Sequence, residues 1–406
     1  MRRAEHRPAS SLLGDCFRSK RAPKLARTAN GPSLQDGGPF FRDNRLCPKA
    51  TSSAGVGMKT KHGIYTVITT VIICLALLLL GETITRVFGA TIVYEYDSTL
   101  GWRPQKNFDG RIQVVDQSGE HYAADYSTNE FGFRTFGDLR SKRKRILFVG
   151  DSWTGDPNTS DEEAYFGVVG SRLPVEVFAI GGGGYGTLQE LMLVKEFARI
   201  IRPDIFVLQF CDNDIINNSF FLEGPRITRN QKNLRPYWVD GKVRYRQPAD
   251  SLYILLQRYS RLFRTLDGLL STAQYKFYKS YYPPAYQAYD GLAPAQSPEQ
   301  QAEITAQKTT SIATTGFLMS EMQRALPPGT KIVTFAASSD DPEELRIWLS
   351  LAEQNGFAAY PSVSMNVELA EKNGEIVRVR DGAHWNRLGN LLAGEELSRI
   401  IARDFL

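Results

Sequence analysis

Histidine is scarce in this chain of 406 residues: only His6, His62, His121 and His384 are present. Cysteine is equally rare, with Cys16, Cys47, Cys74 and Cys211. Two of the cysteines fall in an N-terminal arm, one in an apolar run and one at the end of a predicted strand. No disulfide framework and no Cys/His metal site is therefore expected. Internal repeats are missing too. The one glycine-rich run lacks the Lys-Ser/Thr ending of a phosphate-binding P-loop, which excludes that reading. A strongly basic body is also absent. Residues 1–62 carry 13 of the 49 Lys and Arg but only four of the 44 acidic residues, so the remainder is slightly acidic. The formal charge of +5 belongs to the arm, and no nucleic-acid partner is expected.

What the sequence does have is one long apolar run. Residues 63–80 read GIYTVITTVIICLALLLL, without charge or proline. Eighteen residues at helical rise span about 27 Å, enough for the hydrocarbon core with little to spare. An anchor over 63–85 is expected. Lys59 and Lys61 precede it, which places the N-terminus in the cytoplasm and the following chain outside, in the periplasm if the cell is Gram-negative. A cleaved signal peptide is the rival reading, disfavoured because the run is long and no small-x-small site follows directly. Residues 1–57 are rich in Arg, Pro, Ser and Gly without hydrophobic period and are expected to be disordered. Met58 opens a short basic lead into the apolar run, so the natural chain is expected to start there.

Residues 90–144 read as a lead-in with a small antiparallel element around 111–115, ending in the charge run 141–145. From residue 145 strands and helices alternate. Residues 146–149, 175–180, 204–211 and 331–335 are short apolar strands; 187–201, 305–326, 342–354 and 386–404 carry helical patterns. One exterior domain over 145–406 follows, with a parallel sheet covered on both faces. Residues 217–300 break the rhythm and read as an insert with one helix over 251–270. Its Tyr-rich stretch 275–289 reads as structural, with a substrate platform or membrane contact as the alternative.

Four short motifs lie where strands end or before the last helix. Gly150-Asp151-Ser152 follows the first strand, where open α/β sheets bind ligands; a plain N-cap is the bland reading. The run 181–186, GGGGYG, follows the second strand and can expose backbone N–H donors, or be a surface turn. Asn213-Asp214 follows the third strand, where Asn can donate to a developing negative charge or simply make a turn. Asp381-Gly382-Ala383-His384 precedes the last helix. A serine hydroxyl needs a base, and the base needs a third group to orient it. Of the four histidines, His384 is the best placed for that work.

Taken together, these blocks resemble the GDSL/SGNH hydrolase superfamily: Gly150-Asp151-Ser152, then an oxyanion glycine falling on Gly184 with Gly183 as alternative, then Asn213-Asp214, then Asp381-x-x-His384. Two positions depart from the family pattern, Ala179 for the Asn of the second block and Cys211 for the Gly of the third. The resemblance implies a flavodoxin-like three-layer α/β/α sandwich with a mostly parallel sheet, here preceded by one transmembrane helix. It implies Ser152 as nucleophile, His384 as base and Asp381 as its orienting group. Ser152, Gly184 and Asn213 would form the oxyanion hole, with no metal or cofactor. The expected activity is hydrolysis of O-acyl groups, O-acetyl foremost, on an extracytoplasmic carbohydrate or lipid. Transfer of an acyl group to a surface polysaccharide, or a non-catalytic carbohydrate-binding or assembly role, are the alternatives. Activity is expected to fall below roughly pH 6, the range in which an unperturbed histidine takes up its proton.

Overall fold

The structure is a computed structural model that describes residues 56–89, 92–223, 234–248, 250–278, 297–338 and 341–406. Most of the arm, and most of the Tyr-rich stretch, lie outside the described residues. The chain divides between residues 67 and 68 into two units, and all that follows concerns the second unless stated.

Helix α1 runs Val56–Phe88 and crosses that division. Within it, Gly63–Phe88 is long and apolar enough to cross a membrane. The helix thus extends past both ends of the expected 63–85 segment. The lead-in forms two hairpins, β1 (Tyr94–Asp97) with β2 (Gly101–Pro104), and β3 (Asp109–Val115) with β4 (His121–Ser127). It is more structured than the single small element expected. A two-residue strand, β5 (Thr135–Phe136), follows.

The main sheet starts with β6 (Lys144–Gly150), so Lys144 and Arg145 of the charge run are already strand. After it come α2 (Ser152–Gly155), α3 (Tyr165–Arg172), β7 (Val175–Gly181), α4 (Thr187–Ile201) and β8 (Ile205–Phe210). Short helices α5 (Asn213–Asn217) and α6 (Phe220–Glu223) lead to a hairpin of β9 (Pro236–Val239) and β10 (Lys242–Tyr245). The expected single helix over 251–270 is two helices, α7 (Leu252–Tyr259) and α8 (Arg261–Tyr278). Ser260 makes the break: its hydroxyl accepts from the Phe263 N–H, as an N-cap does, and starts a new helix. Helix α9 (Pro298–Ala325) begins a turn or two before its apolar pattern, because Ser297 caps it and Pro298 suits the first turn. Then come β11 (Lys331–Ala336), α10 (Pro342–Gln354), β12 (Ala358–Ala359), α11 (Ser362–Lys372) and α12 (Arg387–Asp404). Strand β12 and helix α11 are additions to what the sequence pattern showed.

The six-stranded sheet has the order β12-β11-β8-β6-β7-β5. All neighbours are parallel except β5, an antiparallel edge on β7. Counting parallel strands in chain order, the arrangement is 2-1-3-4-5, the flavodoxin-like order. Alternation along each strand decides which helices cover which face. Leu147 and Val149 join Phe206 and Leu208 in a core with α4, α9 and α10. Ile146 and Phe148 join Ile205, Val207, Val333 and Phe335 in a second core with α3, α11 and α12. Both faces are buried, which is why these strands read as continuous apolar runs. Because α3 and α4 leave β6 and β7 toward opposite faces, a crevice opens at the carboxyl end of β6.

Candidate active site

The last residue of β6, Gly150, is there for space. A Cβ at this position would lie 2.3 Å from Gln209 Oε1 and 2.5 Å from Thr154 Oγ1. The sequence reading gave it a tight-turn role; the structure gives it close approach instead, and its φ is not positive. Gln209 Oε1 accepts from the Asp151 N–H at 3.1 Å and from Thr154 Oγ1 at 2.9 Å, fastening the turn to β8. Asp151 caps α2 by accepting from the Trp153 N–H at 3.1 Å. Fully enclosed, its carboxyl is pushed up to about 6 by burial.

This turn delivers the Ser152 hydroxyl to His384, whose Nε2 lies 2.7 Å from Ser152 Oγ. On the other side of the ring, Nδ1 lies 2.6 Å from Asp381 Oδ2. The consistent tautomer has Nδ1–H donating to the carboxylate and Nε2 accepting from the serine. The second oxygen of Asp381 accepts from the N–H groups of Ala383 (2.8 Å) and His384 (3.0 Å). Partial burial raises the Asp381 carboxyl, but its bonds to the His384 ring and these N–H groups outweigh that and hold it below its ordinary value. His384 shows the opposite balance. Burial disfavours its cation, yet the Asp381 hydrogen bond and the charges of Asp156, Asp381 and Asp151 raise its pKa above the ordinary value of 6.5. The indole of Trp153 lies against the imidazole, with ring centroids 5.1 Å apart.

The loop carrying Asp381 and His384 is held from behind. Val379 N–H donates to His384 O at 2.9 Å and Arg380 N–H to Val115 O of β3 at 2.8 Å. Arg378 pairs with Glu371 at 2.9 Å and donates to Ala383 O at 2.9 Å. The lead-in therefore supports the histidine side of the site.

It supports the glycine loop as well. Tyr94 Oη of β1 accepts from the Gly183 N–H at 2.7 Å and donates to Asp156 Oδ1 at 2.5 Å. Burial and the nearby Asp156 charge push the Tyr94 phenol well above its ordinary value, so it keeps its proton. Trp102 Nε1 of β2 donates to Gly183 O at 3.0 Å, and Tyr185 Oη donates to Trp102 O at 2.6 Å. Tyr94 thus accepts from the N–H of Gly183, the alternative glycine of the sequence reading. Gly184, at φ +69, is a left-handed residue that glycine adopts without strain. Among the described residues, the N–H groups of Ser152 and Gly184 have no protein acceptor. Asn213 opens α5 with its side chain beside the Asp151 carboxyl. Asp214 next to it is buried and accepts from the Cys211 N–H at 2.9 Å.

The structure thus brings Ser152, Asp381 and His384 into one chain of hydrogen bonds, with Gly184 and Asn213 on neighbouring strand ends. Sequence reasoning missed Tyr94, Asp156, Trp153 and Arg134. Buried Arg134 donates from Nε to Asp161 at 2.8 Å and from its other nitrogens to the carbonyls of Thr154 (3.2 Å), Asp156 (3.0 Å) and Thr159 (2.8 Å), shaping the loop after Ser152. No short-range signal marks any of the four. Among the described residues there is no His/Cys/Asp/Glu group arranged to hold a metal ion.

No family model and no curated protein matches this chain. Among solved structures, it is similar to a member of the lipolytic protein G-D-S-L family from Veillonella parvula DSM 2008, at 12% identity over 64% of this chain and 99% of that one, TM-score 0.31. It is similar to a carbohydrate esterase family 2 enzyme with a carbohydrate-binding domain from Corynascus thermopiles (Myceliophthora fergusii), at 11% identity over 72% and 86%, TM-score 0.34. It is also similar to an acetyl xylan esterase from the rumen bacterium Butyrivibrio proteoclasticus, at 10% identity over 70% and 67%, TM-score 0.29. At these TM-scores the likenesses carry no functional weight, and the functional reading rests on the distances within the site itself.

Proposed function

We propose that this chain is a membrane-anchored serine esterase of the GDSL/SGNH type, acting on O-acyl groups, O-acetyl foremost, of an extracytoplasmic carbohydrate or lipid. The observation that carries this reading is the unbroken relay from Ser152 Oγ through His384 to Asp381, at 2.7 and 2.6 Å. Such a relay turns a weak alcohol nucleophile into an effective one.

In the first half-reaction Ser152 Oγ bonds to the acyl carbonyl carbon while His384 Nε2 takes the hydroxyl proton. The negative charge that develops on the carbonyl oxygen meets the N–H groups of Ser152 and Gly184, with the Asn213 amide as a third donor. Each well-placed donor of this kind is worth about 3 kcal/mol in the transition state. The C–O bond to the leaving alcohol breaks, and the alcohol departs with the proton from His384. A water molecule then loses its proton to His384 and attacks the acyl-serine, releasing the acid and restoring Ser152. Asp381 accepts from Nδ1–H throughout, which fixes the tautomer and stabilises the imidazolium.

The anchor reading rests on Gly63–Phe88, an apolar helical segment without buried residues. Lys59 and Lys61 before it support an outside position for the catalytic part by the positive-inside rule.

The test is hydrolysis of a short-chain aryl acetate by the full chain in detergent, beside Ser152→Ala, with fluorophosphonate labelling of both. Turnover and labelling in the parent, both lost in a variant of unchanged thermal stability, are the expected outcome. A parent that is neither active nor labelled removes the esterase reading.

A further inference from the structure

The helix pair α7 and α8 shows an unusual amount of apolar surface for a segment outside the anchor. Leu252, Leu255 and Tyr259 of α7 are exposed at spacings of three and four, so they share one face. Leu266, Leu269 and Leu270 of α8 are exposed at the same helical spacings. The opposite sides are satisfied within the pair and its neighbours. Ile254 and Gln257 are buried, Tyr253 meets Phe263 edge to face, and Tyr253 Oη donates to Asp267 at 2.9 Å.

What tells the occupant of this surface is where the pair is fastened. The joint between α7 and α8 is bonded to the carboxyl-terminal end of α1. Glu82 Oε2 accepts from Ser260 Oγ at 2.8 Å and from the Leu262 N–H at 3.0 Å, and Glu82 Oε1 accepts from the Arg261 N–H at 2.9 Å. A carboxylate on the first N–H groups of α8 also suits the positive end of that helix. Arg86 Nη2 donates to Tyr259 O at 2.9 Å, closing the last carbonyls of α7. Leu262 lies so close to Gly81 that a Cβ there would sit 3.0 Å from its Cδ2. Leu75, Leu77, Leu78, Leu79 and Leu80, just before this clasp, are all exposed.

An apolar span starting at residue 63 uses up about 27 Å of hydrocarbon by residue 80. Glu82 then stands at the level of the headgroups, and so does whatever it holds. Arg86 and Arg261 stand at the same joint and Arg264 lies within electrostatic reach of both, the cation-and-leucine mixture that suits the boundary between headgroups and acyl chains.

We infer that α7 and α8 form a membrane-surface pad, laying Leu252, Leu255, Tyr259, Leu266, Leu269 and Leu270 into the acyl–headgroup boundary of the leaflet from which α1 emerges. This rests on reading α1 as membrane-spanning. The pad and the Glu82 clasp together fix the catalytic unit against the bilayer instead of letting it swing on a tether.

The experiment uses the full chain in phospholipid nanodiscs doped with a lipid carrying a diazirine near the top of one acyl chain. Irradiation is followed by peptide mapping. Adducts are expected in α1 and in residues 252–270. The peptides bearing Phe317 of α9 and Met365 and Leu369 of α11, which are also exposed, serve as the background. A Leu266→Glu/Leu269→Glu variant should lose the α8 adducts to that background while keeping aryl acetate hydrolysis. Adducts in α1 with α7 and α8 at background overturn the pad but leave the anchor standing. Absence of adducts in α1 removes the anchor reading itself and the pad with it. Protein–protein adducts at 252–270 in place of lipid adducts assign the surface to a second chain and overturn the lipid assignment.

Discussion

Replacing Tyr94 with Phe tests whether the lead-in positions the glycine loop that carries Gly184, the proposed oxyanion donor. The substitution deletes one oxygen and leaves the ring. That oxygen accepts from the Gly183 N–H at 2.7 Å and donates to Asp156 at 2.5 Å. Without it, the Gly183 N–H loses this acceptor and the enclosed Asp156 carboxyl loses this donor. A polar group stranded out of water costs about 1–3 kcal/mol. If the loop stays in place, that cost falls on stability. If the loop turns to find water, Gly184 turns with it, and the cost appears in the transition state as a loss of about five- to 150-fold. The close packing around the loop favours the second course in part: Trp102 still holds Gly183 O at 3.0 Å, so the loop tilts but does not detach. The assay is aryl acetate hydrolysis by the full chain, with kcat and KM separated and thermal melts of both proteins. A fall in kcat at nearly constant KM is expected, since the ground-state carbonyl needs the hole less than the oxyanion does. A folded Tyr94→Phe chain whose kcat/KM stays within about twofold of the parent refutes the positioning role, because the cost of the lost bonds then falls on stability alone.

Three further outcomes follow from the charges and contacts of the site. In the proposed mechanism neutral His384 is the active form, and the carboxylates around it favour the cation, so the acid limb of kcat/KM should lie above the ordinary histidine value of 6.5 and not near pH 6. Removing one of those negative charges with Asp156→Asn should move the limb to lower pH; a limb that stays or rises in the pH–rate profile contradicts the assignment of the base or of its neighbours. Arg134→Ala strands Asp161 and three carbonyls in a buried setting, and breaking a buried pair from one side costs about 3–5 kcal/mol. Chemical denaturation should show that loss in the midpoint at unchanged slope, and an unshifted midpoint would mean that water replaces the guanidinium.

The segments legible from sequence were those with a local signal. The strands at 146–149 and 175–180 read directly, because burial on both faces leaves an unbroken apolar run. Helix α4 was legible because Leu188, Leu191, Val194 and Phe197 repeat at helical spacing and all are buried. Asp381 and His384 sit three residues apart on one turn, so their pairing is local and needed only the motif. The break at Ser260 was invisible because the residues on both sides keep a helical pattern; Glu82, far away in the chain, supplies the acceptor that completes the joint.

The sequence by itself determined the class of fold, the apolar helix and the three residues of the relay, all through signals carried within a few residues. Only the tertiary structure decided what surrounds them. Tyr94 reaches Gly183 across 89 positions, and Ser152 reaches His384 across 232. Such contacts depend on the strand order and on where the lead-in hairpins dock. No residue's own propensity encodes them, because a tyrosine in a short strand looks the same whether its hydroxyl meets water or a glycine loop. The role of Gly150 changed for the same reason: a glycine's neighbours in space, here Gln209 and Thr154, are set by the packed sheet and not by the turn it sits in.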